Sequence, residues 1–472
     1  MKSFFKYALV VIVCFACMFI YNMFQAPTVV GITKGESNGV YDTYIVSYSD
    51  GSKNTLTIKN GVDGEDAQDI SIDDLYLATK TAKGYGDDYT LLDFIEEYMA
   101  FSVEEKDEAK AYLGALSTVE VYCEFPTTLN FSTYDMGYDL TIGSGIIYKP
   151  EGAGASEYYV ITNYHVVYYS ESLTSDCIAE KFNCFLYGSN VEIEEEELSF
   201  GGYNFTYGND AIACEYVGGS MEYDIAVLKV LDSSKITSSN ARAVMVNYDD
   251  VTVGQTVVAV GNADGLGTSV TRGIISVDNE YVTMLASDEE TEITFRAMRT
   301  DASVNGGNSG GGLFNVDGEL VGIVNSKIVD EEIEGMAFAL PAVASIRLAD
   351  NVIANATLSS KSPKKVDLGL TLAVKSSSAQ YDGTTLSIKI VEDVYVSKVK
   401  ANSACHSNLL VGDKLISVLI GGELFKIDRE FRLDDLSWLI TPNSVVVFNI
   451  LRSNAEVTVP IAIGAEDFKA VA

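Results

Sequence analysis

Lys2 and Lys6 precede an apolar run from Tyr7 to Phe24 that only Asn22 interrupts. At about 1.5 Å per residue, a helix over this run reaches about 27 Å, close to the roughly 30 Å hydrocarbon core of a bilayer. The run ends in the bulky Tyr21-Asn22-Met23-Phe24-Gln25. That favours a retained transmembrane helix over a cleaved signal, which wants small residues there. Lysines before the span and none just after it put the N-terminus in the cytoplasm and the remainder outside. The expectation is a single-pass cell-membrane protein, or a secreted one if residues 1–24 are removed.

Beyond the run the periodicity changes three times. In 25–66, Tyr44–Tyr48 and Thr55–Ile58 alternate around a Ser49-Asp50-Gly51-Ser52 turn, predicting a β stalk or spacer. In 67–115, Ser71-x-x-Asp74, Thr90-x-x-Asp93 and Ser102-x-x-Glu105 are helix-start patterns. The first two precede apolar residues at helical spacing, predicting a small helical module. From 116 to 358 short apolar runs are broken by glycine, among them Val119–Cys123, Gly145–Tyr148, Ile225–Val230, Thr256–Val260 and Glu319–Val324. Such spacing predicts β-barrels or sandwiches. Ser359–Lys365 reads as a linker by composition, and 366–463 as a last β-rich unit.

Composition narrows the function classes. The 472 residues carry a net charge of −35, which repels nucleic acid and anionic lipid headgroups. There are 39 Gly and 28 Tyr against 7 Pro, in keeping with a mainly β protein. No Cys/His grouping has zinc-site spacing, so no metal is expected. Cys177 and Cys184 could close a small loop in an oxidising compartment, and unpaired thiols fit equally well.

With 2 histidines in the chain, a neutral-pH proton shuttle falls to His165 or His406. His165 ends the apolar Ile161-Thr162-Asn163-Tyr164; Asp224 opens the apolar Ile225–Leu228; Ser309 stands in Gly306-Gly307-Asn308-Ser309-Gly310-Gly311. The order His, Asp, Ser belongs to the chymotrypsin-like arrangement. The residue types suit acyl transfer. A serine hydroxyl needs a base within hydrogen-bond reach, an imidazole can take and return the proton, and a buried carboxylate fixes its tautomer. Glycines around Ser309 let the N–H groups of Gly307 and Ser309 converge as an oxyanion hole.

These stretches resemble a known family. Thr300–Gly311 is similar to the nucleophile segment of HtrA/Deg serine proteases, as are Leu313-Phe314-Asn315-x-Asp317-Gly318-Glu319-Leu320, Gly261-Asn262-x-x-Gly265-Leu266-Gly267 and Gly335–Pro341. The family usually has Pro where Gly306 and Gly312 stand, so both departures loosen the backbone near the nucleophile. Leu368-Gly369-Leu370-Thr371 is similar to the carboxylate-binding loop of PDZ domains, and Leu409–Val418 to a further PDZ stretch. The resemblance implies a mainly β fold: a chymotrypsin-like double β-barrel plus a PDZ domain, after the N-terminal transmembrane helix and the helical module. It implies cleavage of misfolded or signalling polypeptides without a cofactor, peptide C-termini bound at Leu368–Thr371, and a homotrimer. It also places Ser303 at the base of the specificity pocket, with walls from Val324, Asn325, Ser326, Met336 and Phe338. Neutral Ser303 implies small or medium apolar side chains, unless Asp301 or Glu334 reaches in. His406 reads as a surface residue. The rival class is a catalytically silent scaffold that uses only the PDZ domain.

Overall fold

The computed structural model describes residues 29–37, 41–48, 51–59, Tyr76, Lys80, 113–237, 240–327, 336–357, 360–383 and 387–471. The apolar run of 1–24 and nearly all of the expected helical module lie outside them, as does Glu334; Tyr76 and Lys80 are helical. Among the described residues no helix is long and apolar enough to cross a membrane. The chain forms two compact units, Met1–Ala109 and Lys110–Ala472.

In the first unit, β1 (Val29–Ser37), β2 (Tyr41–Tyr48) and β3 (Lys53–Lys59) make an antiparallel sheet in chain order. The alternating runs read from sequence fall in β2 and β3. Strand β1, with glycines at 31 and 35, carries no such pattern.

The second unit begins with a barrel of β4 (Thr118–Leu129), β5 (Met136–Tyr148), β6 (Tyr159–Thr162), β7 (Lys181–Leu186), β10 (Ile212–Ser220) and β11 (Ile225–Val230), closed by β4–β5 pairing. The hairpin of β8 (Ile193–Glu197) and β9 (Tyr203–Tyr207) extends it, with the glutamates of β8 exposed to solvent. A second closed barrel holds β12 (Thr256–Gly261), β13 (Ser269–Leu285), β14 (Glu292–Thr300), β15 (Gly312–Asn315), β16 (Leu320–Asn325) and β17 (Ala337–Pro341). Apolar residues of both barrels, including Ile161, Val227, Val260 and Phe314, share one core with Ile346 and Ala349 of helix α2 (Ala342–Asn355), numbered after a short turn α1 (Tyr164–Val167).

The C-terminal domain has a sheet in the order β19-β20-β21-β23-β24: β19 (Leu370–Asp382), β20 (Ser387–Val399), β21 (Lys414–Ile420), β23 (Ser444–Arg452) and β24 (Ala455–Ile463). Strand β22 (Glu423–Lys426) adds to β21, and β18 (Lys364–Val366) pairs with β25 (Phe468–Ala470). Helix α3 (Arg432–Ser437) lies against the second barrel, where Asp435 Oδ2 meets Arg296 Nη2 at 2.5 Å. Arg429 meets Asp278 at 2.6 Å, and Arg432 pairs with Asp250. Burial pushes the Asp435 carboxyl up, opposed by Arg296. The polar stretch read as a linker is packed in place: the Lys361 carbonyl accepts the Gly219 N–H at 3.0 Å, and Lys365 is buried.

Cys123, Cys177, Cys184, Cys214 and Cys405 are free thiols. The neighbour of Cys184 is Cys214, with sulfurs 3.7 Å apart on adjacent strands, so no loop is closed between Cys177 and Cys184.

Candidate active site

His165 sits on α1, just after β6; Asp224 ends the turn between β10 and β11; Ser309 lies in the loop between β14 and β15. The first two come from one barrel and the third from the other, so the site occupies the seam between barrels. His165 Nδ1 is 2.7 Å from Asp224 Oδ2, and His165 Nε2 is 2.8 Å from Ser309 Oγ. Asp224 and Ser309 are buried, whereas the His165 side chain keeps 18% exposure. One edge of the imidazole therefore faces solvent, where a substrate would approach.

Asp224 is held from several sides. Its Oδ1 accepts the His165 N–H at 2.9 Å, its Oδ2 accepts the Asn325 side-chain amide at 2.7 Å, and its carbonyl accepts the Asn163 amide at 2.9 Å. Its φ is +51°, a left-handed conformation that a non-glycine residue adopts only when its surroundings over-determine it. Asn163 and Asn325 were not recognised from sequence as supports of the triad. In the sequence Asn163 stands at the end of an apolar strand, and the family resemblance places Asn325 in the pocket wall. Fully buried asparagines beside the triad were the available signal, and burial is not readable from one chain.

The loop before Ser309 is anchored to the first barrel. Ser144 of β5 donates its hydroxyl to the Gly307 carbonyl at 2.8 Å and its N–H to the Ser309 carbonyl at 2.8 Å. Ser144 Oγ in turn accepts the Asn262 N–H at 2.7 Å, and the Asn262 amide donates to Glu120 at 3.1 Å. Tyr122 also donates to Glu120; burial and that carboxylate push its phenol up, so it remains a donor. The Gly306 carbonyl accepts the Asp264 N–H at 2.7 Å. In a trans peptide the C=O and N–H point opposite ways, so the Gly307 N–H is turned away from Asp264. Neither the Gly307 nor the Ser309 N–H donates to another group of the described residues. Gly307 has φ +85°, and a Cβ there would lie 2.2 Å from the Asn262 carbonyl oxygen, so only glycine fits.

The two departures from the family pattern have different consequences. At Gly306 a Cβ would meet only Asp264 Oδ1, at 3.5 Å, an ordinary contact. At Gly312 it would lie 2.3 Å from the Phe314 ring, which is fully buried. The aromatic ring thus fills the space that a proline would take and restores packing beside the nucleophile loop.

The expected pocket residues do not all face one space. Asn325 turns its amide to Asp224, which makes it a support of the triad rather than a pocket wall, and Val324 is buried in the second barrel's core. Phe338 is likewise buried, in the core shared by the barrels. Ser326 contacts Ser309, its Oγ at 2.5 Å and its N–H donating at 3.1 Å. Met336 takes a contact from Arg299 at 3.0 Å, and Ser303 is exposed. Asp301 accepts the Ile274 N–H at 2.6 Å, which ties its carboxylate to β13. Leu370 opens β19, Gly369 precedes it with φ +67°, and Leu368 is buried.

Residues 143–323 match the trypsin-like peptidase domain family. The chain is similar to the serine protease Do-like HtrA of Bacillus subtilis, 28% identical over 334 residues, covering 69% of this chain and 64% of the relative. It is similar to the serine protease Do-like HtrA of Lactococcus lactis subsp. lactis, 30% identical over 288 residues, covering 58% of this chain and 60% of the relative. It thus spans somewhat under two thirds of these relatives' lengths. A serine endoprotease of Yersinia pestis aligns over 77% of this chain and 98% of its own, at 22% identity and a TM-score of 0.39. Residues 143–323 are thus similar to a trypsin-like peptidase domain, and the chain as a whole resembles serine proteases named Do-like HtrA.

Proposed function

We propose that this chain is a serine endopeptidase of polypeptides, working through an acyl-enzyme. The observation that carries the reading is the unbroken line Asp224–His165–Ser309, at 2.7 and 2.8 Å. Ser309 Oγ attacks the scissile carbonyl carbon as its proton passes to His165 Nε2. The imidazolium is stabilised by Asp224, and the oxyanion is received by the N–H groups of Gly307 and Ser309. The C–N bond then breaks, the proton goes to the leaving amine, and the acyl group stays on Ser309 as an ester. Water, deprotonated by His165, hydrolyses that ester and restores the site.

The surroundings of this reaction belong to the same proposal. The apolar run after Lys2 and Lys6 supports anchoring, with the peptidase outside the cytoplasm. Strand β19 is an edge strand, and it begins at Leu370, directly after Gly369. This supports a PDZ domain in which peptide C-termini add a strand and regulate the peptidase. A homotrimer rests on the family resemblance alone.

The test is cleavage of an unfolded protein by the purified chain. Parental protein is expected to cut it, while His165→Ala and Ser309→Ala are folded by circular dichroism and inactive, since the triad acts as a unit. A Ser309→Ala protein that cuts at near-parental rate would end the reading and leave the scaffold alternative.

A further inference from the structure

The turn after β12 holds an apolar side chain out in solvent. Leu266 is 89% exposed, more than any other large apolar residue among those described. The turn is constrained rather than loose. Asp264 has φ +53°, Gly265 +69° and Gly267 +101°, and the first is a conformation that residues with side chains adopt rarely. The Gly267 N–H donates to Asn262 Oδ1 at 2.9 Å, the Leu266 N–H donates to the Ala263 carbonyl at 3.0 Å, and Asn262 is itself buried. Strained backbone that its surroundings fix in this way clusters at ligand-binding sites.

The turn borders the nucleophile loop, because the Asp264 N–H donates to the Gly306 carbonyl at 2.7 Å. It also borders β5. A Cβ at Gly265 would lie 3.2 Å from Ile142 Cδ1, so the Ile142 side chain, 37% exposed, rests against the backbone next to Leu266. From Ile142, β5 runs in toward the triad. A Cβ at Gly143 would lie 2.7 Å from Val166, the residue after His165, and 3.3 Å from the Ser309 carbonyl oxygen, which the Ser144 N–H holds. Ile142 and Leu266 therefore form an apolar lip beside Ser309.

The topology decides which half of a substrate meets this lip. The loop carrying Ser309 leads into β15, which pairs with β12 on one side and β16 on the other. Ser326 follows β16, and Leu266 lies in the turn after β12, so the two flank the nucleophile from opposite sides. The family resemblance puts the side chain of the acyl half in the pocket with Ser303 and Ser326. The leaving half then passes over β5 and the turn. Ile142 is two strand residues from Ser144, about 7 Å, the span of two extended substrate residues.

Resting on the peptidase reading above, we propose that Ile142 and Leu266 are specificity-determining residues for the leaving half of the substrate, receiving a large apolar side chain within the first two positions after the cleaved bond. Such a side chain covers apolar surface that the free protein leaves in water, and the chemistry at Ser309 is unaltered.

The test uses the purified full chain and three quenched-fluorescent decapeptides. All have Ala before the bond to be cut and carry Leu, Ser or Asp at both positions after it, with the cut bond identified by mass spectrometry. The parent is expected to cut the Leu peptide with a kcat/KM about tenfold above that for the Ser peptide, and the Asp peptide more slowly still. In Leu266→Ser, where the altered side chain is in solvent, and in Ile142→Thr, which keeps a β-branched residue in the strand, the Leu-to-Ser ratio is expected to fall by about threefold or more. A merely structural part would slow all three peptides alike and leave the ratio at its parental value. An unchanged ratio in either variant, or equal rates for the three peptides in the parent, overturns the proposal and leaves the peptidase reading standing. A parent that cuts none of the three overturns both.

Discussion

Ser326 Oγ lies 2.5 Å from Ser309 Oγ, and the Ser326 N–H donates to the same oxygen at 3.1 Å. The nucleophile has one proton and cannot give it to both neighbours. When it donates to His165, both Ser326 donors point at its lone pairs and make them less available for attack. A neutral hydrogen bond contributes about 0.5–1.5 kcal/mol net, or roughly twofold to tenfold in rate. Ser326→Ala is therefore expected to raise the rate constant for fluorophosphonate labelling by that factor. A slower reaction would mean that Ser326 assists Ser309.

Asn325 is expected to matter through Asp224 alone. Its amide donates to the carboxylate at 2.7 Å from a fully buried position. A hydrogen bond to a charged group contributes about 1.5–3 kcal/mol, so Asn325→Leu should lower kcat roughly tenfold to a hundredfold with little change in KM. A change confined to KM would return Asn325 to the substrate pocket.

The Arg296–Asp435 pair joins the second barrel to α3, with side chains 13% and 7% exposed. Removing one partner strands the other charge, at a cost of about 3–5 kcal/mol, whereas replacing both with apolar groups costs much less. Arg296→Met should lower the thermal midpoint more than the double variant Arg296→Met/Asp435→Leu does. Equal losses in the two would show that the pair is solvated.

Cleavage preference follows from the residues that the family resemblance places at the specificity pocket. Ser303 is neutral, and Asp301 is engaged with the Ile274 N–H. A buried Lys or Arg side chain would find no carboxylate at Ser303 and an engaged one at Asp301, and an unpaired buried charge costs several kcal/mol. A peptide-library profile is expected to show small or medium apolar residues at the cleaved position. A profile dominated by Arg or Lys would overturn this.

The barrels and the triad were legible because their signals are local. Apolar runs such as Ile225–Val230 and Thr256–Val260 fall inside β11 and β12, and each triad residue stands at the end of such a run or among glycines. The supports were not legible. Asn163, Ser144 and Asn325 act across separations of 61, 163 and 101 residues, and an isolated polar residue gives no hint of a distant partner. The same holds for Arg296–Asp435 and Arg429–Asp278, which pair across 139 and 151 residues. Polar composition marked 359–365 as a linker, yet Lys365 is buried between Tyr223 and Asp434, because a long amphipathic side chain can pack its stem while its charge is paired.

The most direct measurement is active-site labelling with a fluorophosphonate, read by peptide mass spectrometry. The triad at 2.7 and 2.8 Å predicts one adduct per chain, on Ser309, abolished in His165→Ala and absent from Ser326. No adduct in the parent, or an adduct that persists in His165→Ala at the parental rate, would contradict a working serine peptidase.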